Sequence, residues 1–227
     1  MKAIILAAGQ GIRLGTNFPK PLCKITKGKT ILDFQVEKLS KKIGFDNILI
    51  TVGYKKELIM RRFPGLIFVY NHRFQKTKSA KSLLLALKKI NDDVICLEGD
   101  VYFDEKILDM LLKTKYSCYL VDTKKCGREE SKYNLKNGFI WQLSKSNKHP
   151  LGEALGIYII RKKDLDNFRN ELESLSENER QDKAIEILTT RNKLKLLPVY
   201  VGNYFCQEID FKSDLKNVRK YVLRKSH

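Results

Sequence analysis

Residues 6–22 read Leu6-Ala7-Ala8-Gly9-Gln10-Gly11-Ile12-Arg13-Leu14-Gly15-Thr16-Asn17-Phe18-Pro19-Lys20-Pro21-Leu22. The stretch begins inside an apolar run that predicts a buried strand over 3–8. The small residues after it let backbone approach a ligand closely, and glycine accepts turn geometry that other residues resist. Such a loop can turn a row of N–H groups toward phosphate oxygens. A Gly-x-Gly pair alone fits a tight strand–helix turn equally well. Two familiar phosphate motifs fail. The dinucleotide fingerprint needs glycine where Leu14 stands, and Gly28-Lys29-Thr30 has Cys23 in place of the first Walker glycine and no strand before it. What raises the loop above a plain turn is the pair of cations behind it. Arg13 is a fixed multidentate cation. Lys20 sits between two prolines, each of which stiffens the chain, so it is presented as a point charge for a phosphate.

Outward from this loop, apolar strands alternate with amphipathic helices. Strands are expected at 3–8, 47–52, 66–70, 94–98, 117–122, 138–143, 154–160, 194–201 and 204–210. Helices are expected at 31–43, 80–90, 104–113, 162–175, 181–190 and 212–224 from apolar residues at helical spacing. Up to residue 122 the rhythm implies a mostly parallel sheet covered by helices on both faces. Beyond it, Asn137-Gly138 signals a hairpin and the pattern turns to antiparallel additions. The fold class is α/β. One domain over 1–227 is expected, with nucleotide binding in about 1–122 and the acceptor side and a second acidic stretch in about 123–227. Ligands of open α/β sheets bind beyond the carboxyl ends of the strands, so the chemistry is sought there.

Two acidic stretches lie at such ends. Asp100 follows the apolar run Val94–Leu97 and is placed to bind a hard cation such as Mg²⁺; the alternative is a cap for helix 104–113, for which Asp104 is better placed. Asp210 ends Tyr204-Phe205-Cys206-Gln207-Glu208-Ile209-Asp210 and could share the ion. Its alternative is capping the last helix, a role open to Ser213 and Asp214 as well. Strand alternation puts Glu208 and Asp210 on one face.

The string LAAGxGxRLGxxxPKPL, together with LEGDVYFD at 97–104 and QEID at 207–210, resembles the nucleoside-triphosphate transferase superfamily. That superfamily comprises sugar-phosphate nucleotidylyltransferases and small-alcohol cytidylyltransferases. The short segment from Arg13 to Pro19 is most similar to the bacterial choline-phosphate and small phospho-alcohol branch. The resemblance implies a Rossmann-like nucleotidyltransferase fold. It also implies Mg²⁺ on Asp100 and Asp210, and catalytic roles for Arg13, Lys20 and both aspartates. Nucleotide binding would fall to Leu6, Ala7, Ala8, Gly9, Gln10, Gly11 and Arg13, with Gly53 and Ser82 near base or ribose. Lys78 stands where the branch carries asparagine; Ser79 reads equally as a helix cap, and Gly53-Tyr54 as a plain strand end. The acceptor would meet Lys20, Lys132, Glu153 and Glu208, with Lys145, Glu129 and Glu130 nearby in sequence. Trp141, Tyr119 and Tyr133 could offer a cation–π face to a quaternary ammonium, or simply pack. The implied reaction joins CTP and a phosphorylated alcohol such as phosphocholine into a CDP-alcohol and pyrophosphate. Sugar-1-phosphate or inositol-1-phosphate nucleotidyl transfer is the alternative, and a non-catalytic nucleotide- or nucleic-acid-binding module is a second.

Composition bounds these readings. The chain has 227 residues, net charge +18 and five cysteines, Cys23, Cys96, Cys118, Cys126 and Cys206, without metal-ligand spacing. A disulfide framework and a zinc site are not expected, and the reducing cytosol is. No apolar run is long enough to span a bilayer, which leaves only peripheral membrane proximity open. The lysines recur along the whole chain with no basic arm, so nucleic acid is not an expected partner. Nothing in the sequence sets the oligomeric state.

Overall fold

The computed structural model describes residues 1–11, 14–124, 126–127 and 130–225. In chain order the strands are β1 (Lys2–Ala7), β2 (Ile48–Val52), β3 (Ile67–Tyr70), β4 (Val94–Glu98), β5 (Val101–Phe103) and β6 (Ser117–Asp122). There follow β7 (Ser131–Lys136), β8 (Phe139–Ser144), β9 (Gly152–Ile160), β10 (Leu196–Tyr200) and β11 (Cys206–Glu208). The helices are α1 (Ile31–Ile43), α2 (Lys56–Arg62), α3 (Ser79–Leu87), α4 (Lys106–Leu112), α5 (Lys162–Ser174), α6 (Gln181–Thr190) and α7 (Lys212–Lys225).

Nine strands form one sheet in the order β3-β2-β1-β4-β9-β6-β10-β8-β7. β1 to β4 run parallel, as do β6 and β10; β9 runs antiparallel between β4 and β6, and β7 and β8 make the expected hairpin. The mixed α/β architecture with antiparallel additions is the one the sequence implies. Alternation along β1 explains the two-sided core. Ile4 points into an apolar cluster with Leu83 and Leu87 of α3, Phe168 of α5 and Ile185 of α6. Ala3 and Ile5 point the other way, onto Leu32 and Val36 of α1 and Leu108 of α4. The hydroxyl and carboxylate of Thr30 and Asp33 form a capping box that starts α1 where its apolar periodicity begins.

Several local expectations need correction. Helix α2 was not foreseen: only Ile59 of its seven residues is buried, too little for a periodic signal. The three-residue β5 was also missed, because its partner β11 lies a hundred residues later and the pair forms a separate small sheet. The strand expected over 204–210 shrinks to Cys206–Glu208. Asp104 does not cap α4. Its carboxylate accepts from Phe205 N, Tyr221 Oη at 2.6 Å and Lys225 Nζ at 2.8 Å, tying α7 to the end of β5. Ser79 is the first residue of α3 and its side chain does not cap it.

Lys38 is a cost built into this packing. Its ammonium lies 4.0 Å from the centroid of the Tyr102 ring and donates to the Phe103 carbonyl. Burial lowers its pKa to about 8, against the nearby Asp104 and Glu105, while Lys225 adds to the lowering. The unfolded chain then binds the extra proton between that value and the ordinary lysine range, so stability rises with pH across the window. Lys38→Met is expected to raise stability by about 1–2 kcal/mol at neutral pH, after allowance for the lost ring contact. The gain should fade as pH climbs past the folded pKa toward the ordinary lysine value. Thermal unfolding of both proteins across that range measures it; a gain that grows with pH would contradict this account.

Candidate active site

The site lies where β1, β2 and β4 end. Parallel register places Leu6 beside Glu98 and Ala7 beside Val52, so the loops that follow emerge at one edge. A cleft of about 490 Å³ opens there, lined by Leu6, Ala7, Gly9, Gln10, Gly11 and Lys20 on one side and by Glu98, Asp100, Arg180, Glu208 and Asp210 on the other. A second lobe of about 510 Å³ continues past Ala8 toward Phe74, Lys78, Ser82 and Lys145.

Lys20 is held at the centre. It begins a single 3₁₀ turn between Pro19 and Cys23, closed by backbone bonds from Leu22 to Pro19 and from Cys23 to Lys20. Gly11 has φ +62°, and a Cβ there would come within 2.8 Å of the Lys20 Cβ, so this glycine lets the loop close over the lysine. The Lys20 ammonium reaches Asp100 Oδ2 at 2.6 Å and Asp210 Oδ1 at 2.5 Å. Burial opposes its charge, but Asp100 and then Asp210 outweigh that and hold its pKa above the usual lysine value.

The two aspartates come from distant segments joined by the small sheet. Glu208 pairs with Val101, and the Ile209 N–H donates to the Asp100 carbonyl at 3.0 Å. The carboxylate of Asp214 accepts from the backbone N–H of Asp210 and Phe211, so capping falls to Asp214 and the Asp210 side chain faces Lys20. Ligand oxygens of Glu98, Asp100 and Glu208 lie within 4.8 Å of one another. Asp100 keeps one buried oxygen, Oδ1, without a hydrogen bond. Burial and then the neighbouring Asp100 and Glu98 push Glu208 up to about 9. Crowded hard oxygens with an unsatisfied acceptor fit a divalent cation.

Beneath them, Arg180 Nη2 donates to Glu98 Oε1 at 2.7 Å and Gln181 Nε2 donates to the same oxygen at 2.8 Å. Glu98 and Arg180 were missed as functional residues. Glu98 had a signal, since it is the last residue of an apolar strand and lies two positions before Asp100. Arg180 had none, because it enters the cleft only when the start of α6 folds onto the sheet.

Other expected residues fall less centrally. Arg13 and Glu129 lie outside the described residues. Ser82 is buried, accepts from Asn71 Nδ2 at 2.9 Å and lines the second lobe. Gly53 does not line the cleft; it packs behind the loop, where a Cβ would meet the Ala8 carbonyl oxygen at 2.6 Å and Phe74 Cβ at 2.7 Å. Gly53→Ala is therefore expected to cost about 2 kcal/mol of stability and to raise the KM for nucleotide several-fold by moving Ala8. An unchanged Tm and KM would show that the loop tolerates the shift. Glu153 is buried and paired with Lys124 at 3.0 Å, and Lys132 donates to the Lys145 carbonyl at 2.8 Å, so neither lines the cleft. No aromatic cage forms among the described residues. Tyr133 and Tyr119 are buried, Tyr119 stacks on Tyr158 at 4.9 Å, and Trp141 is half-exposed on β8 with Lys136 over its ring.

A glycine loop after the first strand, a central lysine and paired acids gather at the strand ends of a doubly covered sheet, as a nucleotidyltransferase fold arranges them. The chain matches the MobA-like NTP transferase domain over residues 3–186, and it belongs to that nucleotidyltransferase family. It is 31% identical to the bifunctional protein GlmU of Methanococcus maripaludis over 207 residues, covering 86% of this chain and 47% of that protein. It is 33% identical to the choline-phosphate cytidylyltransferase of Streptococcus pneumoniae over 129 residues, covering 54% of this chain and 55% of the relative. The matches span from 19% to 56% of the curated relatives' own length. Among solved structures, the CTP:phosphocholine cytidylyltransferase LicC of Streptococcus pneumoniae superposes with a TM-score of 0.78 at 20% identity, covering 97% of this chain and 98% of that one. The inositol-1-phosphate CTP transferase of T. maritima gives 0.78 at 18% identity, covering 97% and 95%. These two share the fold.

Proposed function

We propose that the protein transfers a cytidylyl group from CTP to the phosphate of a small phosphorylated alcohol and releases pyrophosphate. The observation that carries the reading is Lys20, fixed by Asp100 and Asp210 beside the Gly9–Gly11 loop. An acceptor phosphate is already an anionic nucleophile. Its oxygen attacks the α-phosphorus in line, a new P–O bond forms, and the bond to pyrophosphate breaks. No protein nucleophile or base is needed, which suits a cleft with no histidine among its described lining residues. Catalysis is then positioning and charge neutralisation.

Backbone groups of Ala8–Gly11 hold the triphosphate, Arg13 neutralises the leaving pyrophosphate, and Lys20 contacts the α-phosphate and the acceptor phosphate. Asp100 and Asp210, with Glu208 in reach, would hold Mg²⁺, which supplies charge neutralisation on nucleotide oxygens when bound. Ser82, in the second lobe, is placed for ribose or base. The buried free cysteines support a place in the cytosol.

Preference for CTP is supported by the likeness to choline-phosphate cytidylyltransferase and by the short segment from Arg13 to Pro19. A second reading, a sugar- or inositol-1-phosphate acceptor, is favoured by one observation. The distal wall carries Glu98, Glu208, Arg180 and Lys145 in place of an aromatic cage. Pyrophosphate release over a matrix of four nucleoside triphosphates against phosphocholine, phosphoethanolamine, inositol-1-phosphate and glucose-1-phosphate tests both. Turnover with CTP and phosphocholine or phosphoethanolamine supports the first reading, and turnover of CTP with inositol-1-phosphate alone supports the second. Turnover only with UTP or dTTP and a sugar phosphate replaces it with the second.

A further inference from the structure

We propose that the groove between α2 and α7 is a docking surface for an anionic lipid bilayer. The groove has a volume of about 730 Å³, the largest among the described cavities. The Lys20 turn separates it from the nucleotide cleft, presenting Pro21 to the cleft and Leu22 and Cys23 to the groove. Its apolar walls come from Phe18, Leu22, Leu58 and Leu215. Its charged positions are Lys24, Arg61, Arg62 and Arg219, and no carboxylate lines it. Arg62 is engaged with Asp33 at 2.5 Å, and Arg219 donates to the Lys24 carbonyl at 2.8 Å. Arg61 has no ion-pair partner among the described residues.

The cationic surface does not stop at the groove. A helix turns by about 100° per residue. On α7 the buried side is centred on Val218 and Val222, and Leu215 and Arg219 face the groove. The next flank in rotation is Lys212, Leu223, Lys216 and Lys220, all exposed. That flank has no acid. Phe18, Leu58 and Leu223 are 37%, 40% and 59% exposed, so apolar groups stand among the cations.

This combination identifies the occupant. A single soluble phosphate would engage the guanidinium groups and leave the flank of α7 unused. A single strand of nucleic acid would call for several stacking rings among the cations, where only Phe18 and Phe211 stand exposed, and a duplex would leave the exposed Leu58 and Leu223 without a partner. A broad basic face with protruding leucines matches an interfacial surface, in which apolar groups enter the headgroup layer and cations meet anionic lipid. The association is peripheral, because no described helix is long and apolar enough to cross a membrane.

The test is cosedimentation of the full chain with two sets of vesicles, phosphatidylcholine alone and phosphatidylcholine mixed equally with phosphatidylglycerol. Binding is expected to the mixed vesicles only, and to weaken as salt rises. Arg61→Glu with Arg219→Glu should weaken it at least about tenfold. Leu58→Gln leaves the charge unchanged and should weaken it several-fold. It also keeps the test usable if the double variant fails to fold by circular dichroism. Lys148→Glu with Lys193→Glu makes the same charge change near β8 and β10 and should stay within about twofold of wild type. The proposal is overturned if wild type ignores the mixed vesicles, if the control pair loses as much as the groove pair, or if Leu58→Gln binds like wild type. It is also overturned if the groove variants lose duplex DNA binding while vesicle binding is unchanged.

Discussion

Asp100→Asn is expected to lower turnover by about 10²–10³-fold while the protein stays folded. The substitution keeps the side-chain shape and removes one negative charge from the centre of the cleft. Asp100 faces Lys20 at 2.6 Å, but it also shares its surroundings with the carboxylates of Glu98 and Glu208. One attraction and two repulsions are lost together, and Lys20 keeps Asp210 at 2.5 Å. Stability should therefore change little, with Tm moving by no more than a few degrees. Binding of a divalent cation, followed by the broadening of the Mn²⁺ resonance, should weaken with the turnover. Activity within tenfold of wild type in a folded variant would remove Asp100 from the chemistry.

Lys20→Met is expected to have the other large effect. The ammonium is almost wholly buried between two carboxylates, and removing it leaves both facing one another without a cation. Breaking a buried pair in this way costs about 3–5 kcal/mol where no water replaces the lost partner, and somewhat less at an open cleft. Turnover should fall by about 10²–10³-fold, because Lys20 is proposed to touch the phosphates that react. The nucleotide KM should change less, since the loop backbone of Ala8–Gly11 is untouched. Lys20→Arg separates charge from position. It restores a cation between Asp100 and Asp210, but its planar forked guanidinium replaces the compact ammonium that meets the two carboxylates at 2.6 and 2.5 Å. Recovery of stability with turnover still at least tenfold low is the expected pattern. An unchanged kcat in Lys20→Met would exclude the lysine from transfer.

How far the sequence could be read depended on the range of the interactions. Helix 31–43 was read to its terminal residues, because Ile31, Phe34, Val36, Leu39 and Ile43 recur at helical spacing. The same held for α6 at 181–190. The loop of Gly9–Gly11 and the first acidic stretch were legible because they follow strands directly, and Lys20 because two prolines flank it. Asp210 was placed on a strand, whereas it lies just past β11, which ends at Glu208. Glu208 was expected near the acceptor, yet the pairing of β5 with β11 puts it beside Glu98 and Asp100. That pairing joins segments about a hundred residues apart and leaves no local trace. Arg180 was invisible for the same reason. Trp141, a candidate for a cation–π face, sits on a hairpin strand away from the cleft, a placement that sheet order alone decides.

The most direct test of the central claim follows the α-phosphorus. CTP labelled there is incubated with Mg²⁺ and a phosphorylated alcohol that supports pyrophosphate release, and the products are resolved by ³¹P NMR. The account predicts that the label moves into a new diphosphate bridge to the acceptor, in equal amount to the pyrophosphate formed, and that Asp100→Asn and Lys20→Met slow both together. Label released as free CMP whether or not an acceptor is present, or CTP bound and left intact with every acceptor phosphate, would contradict it.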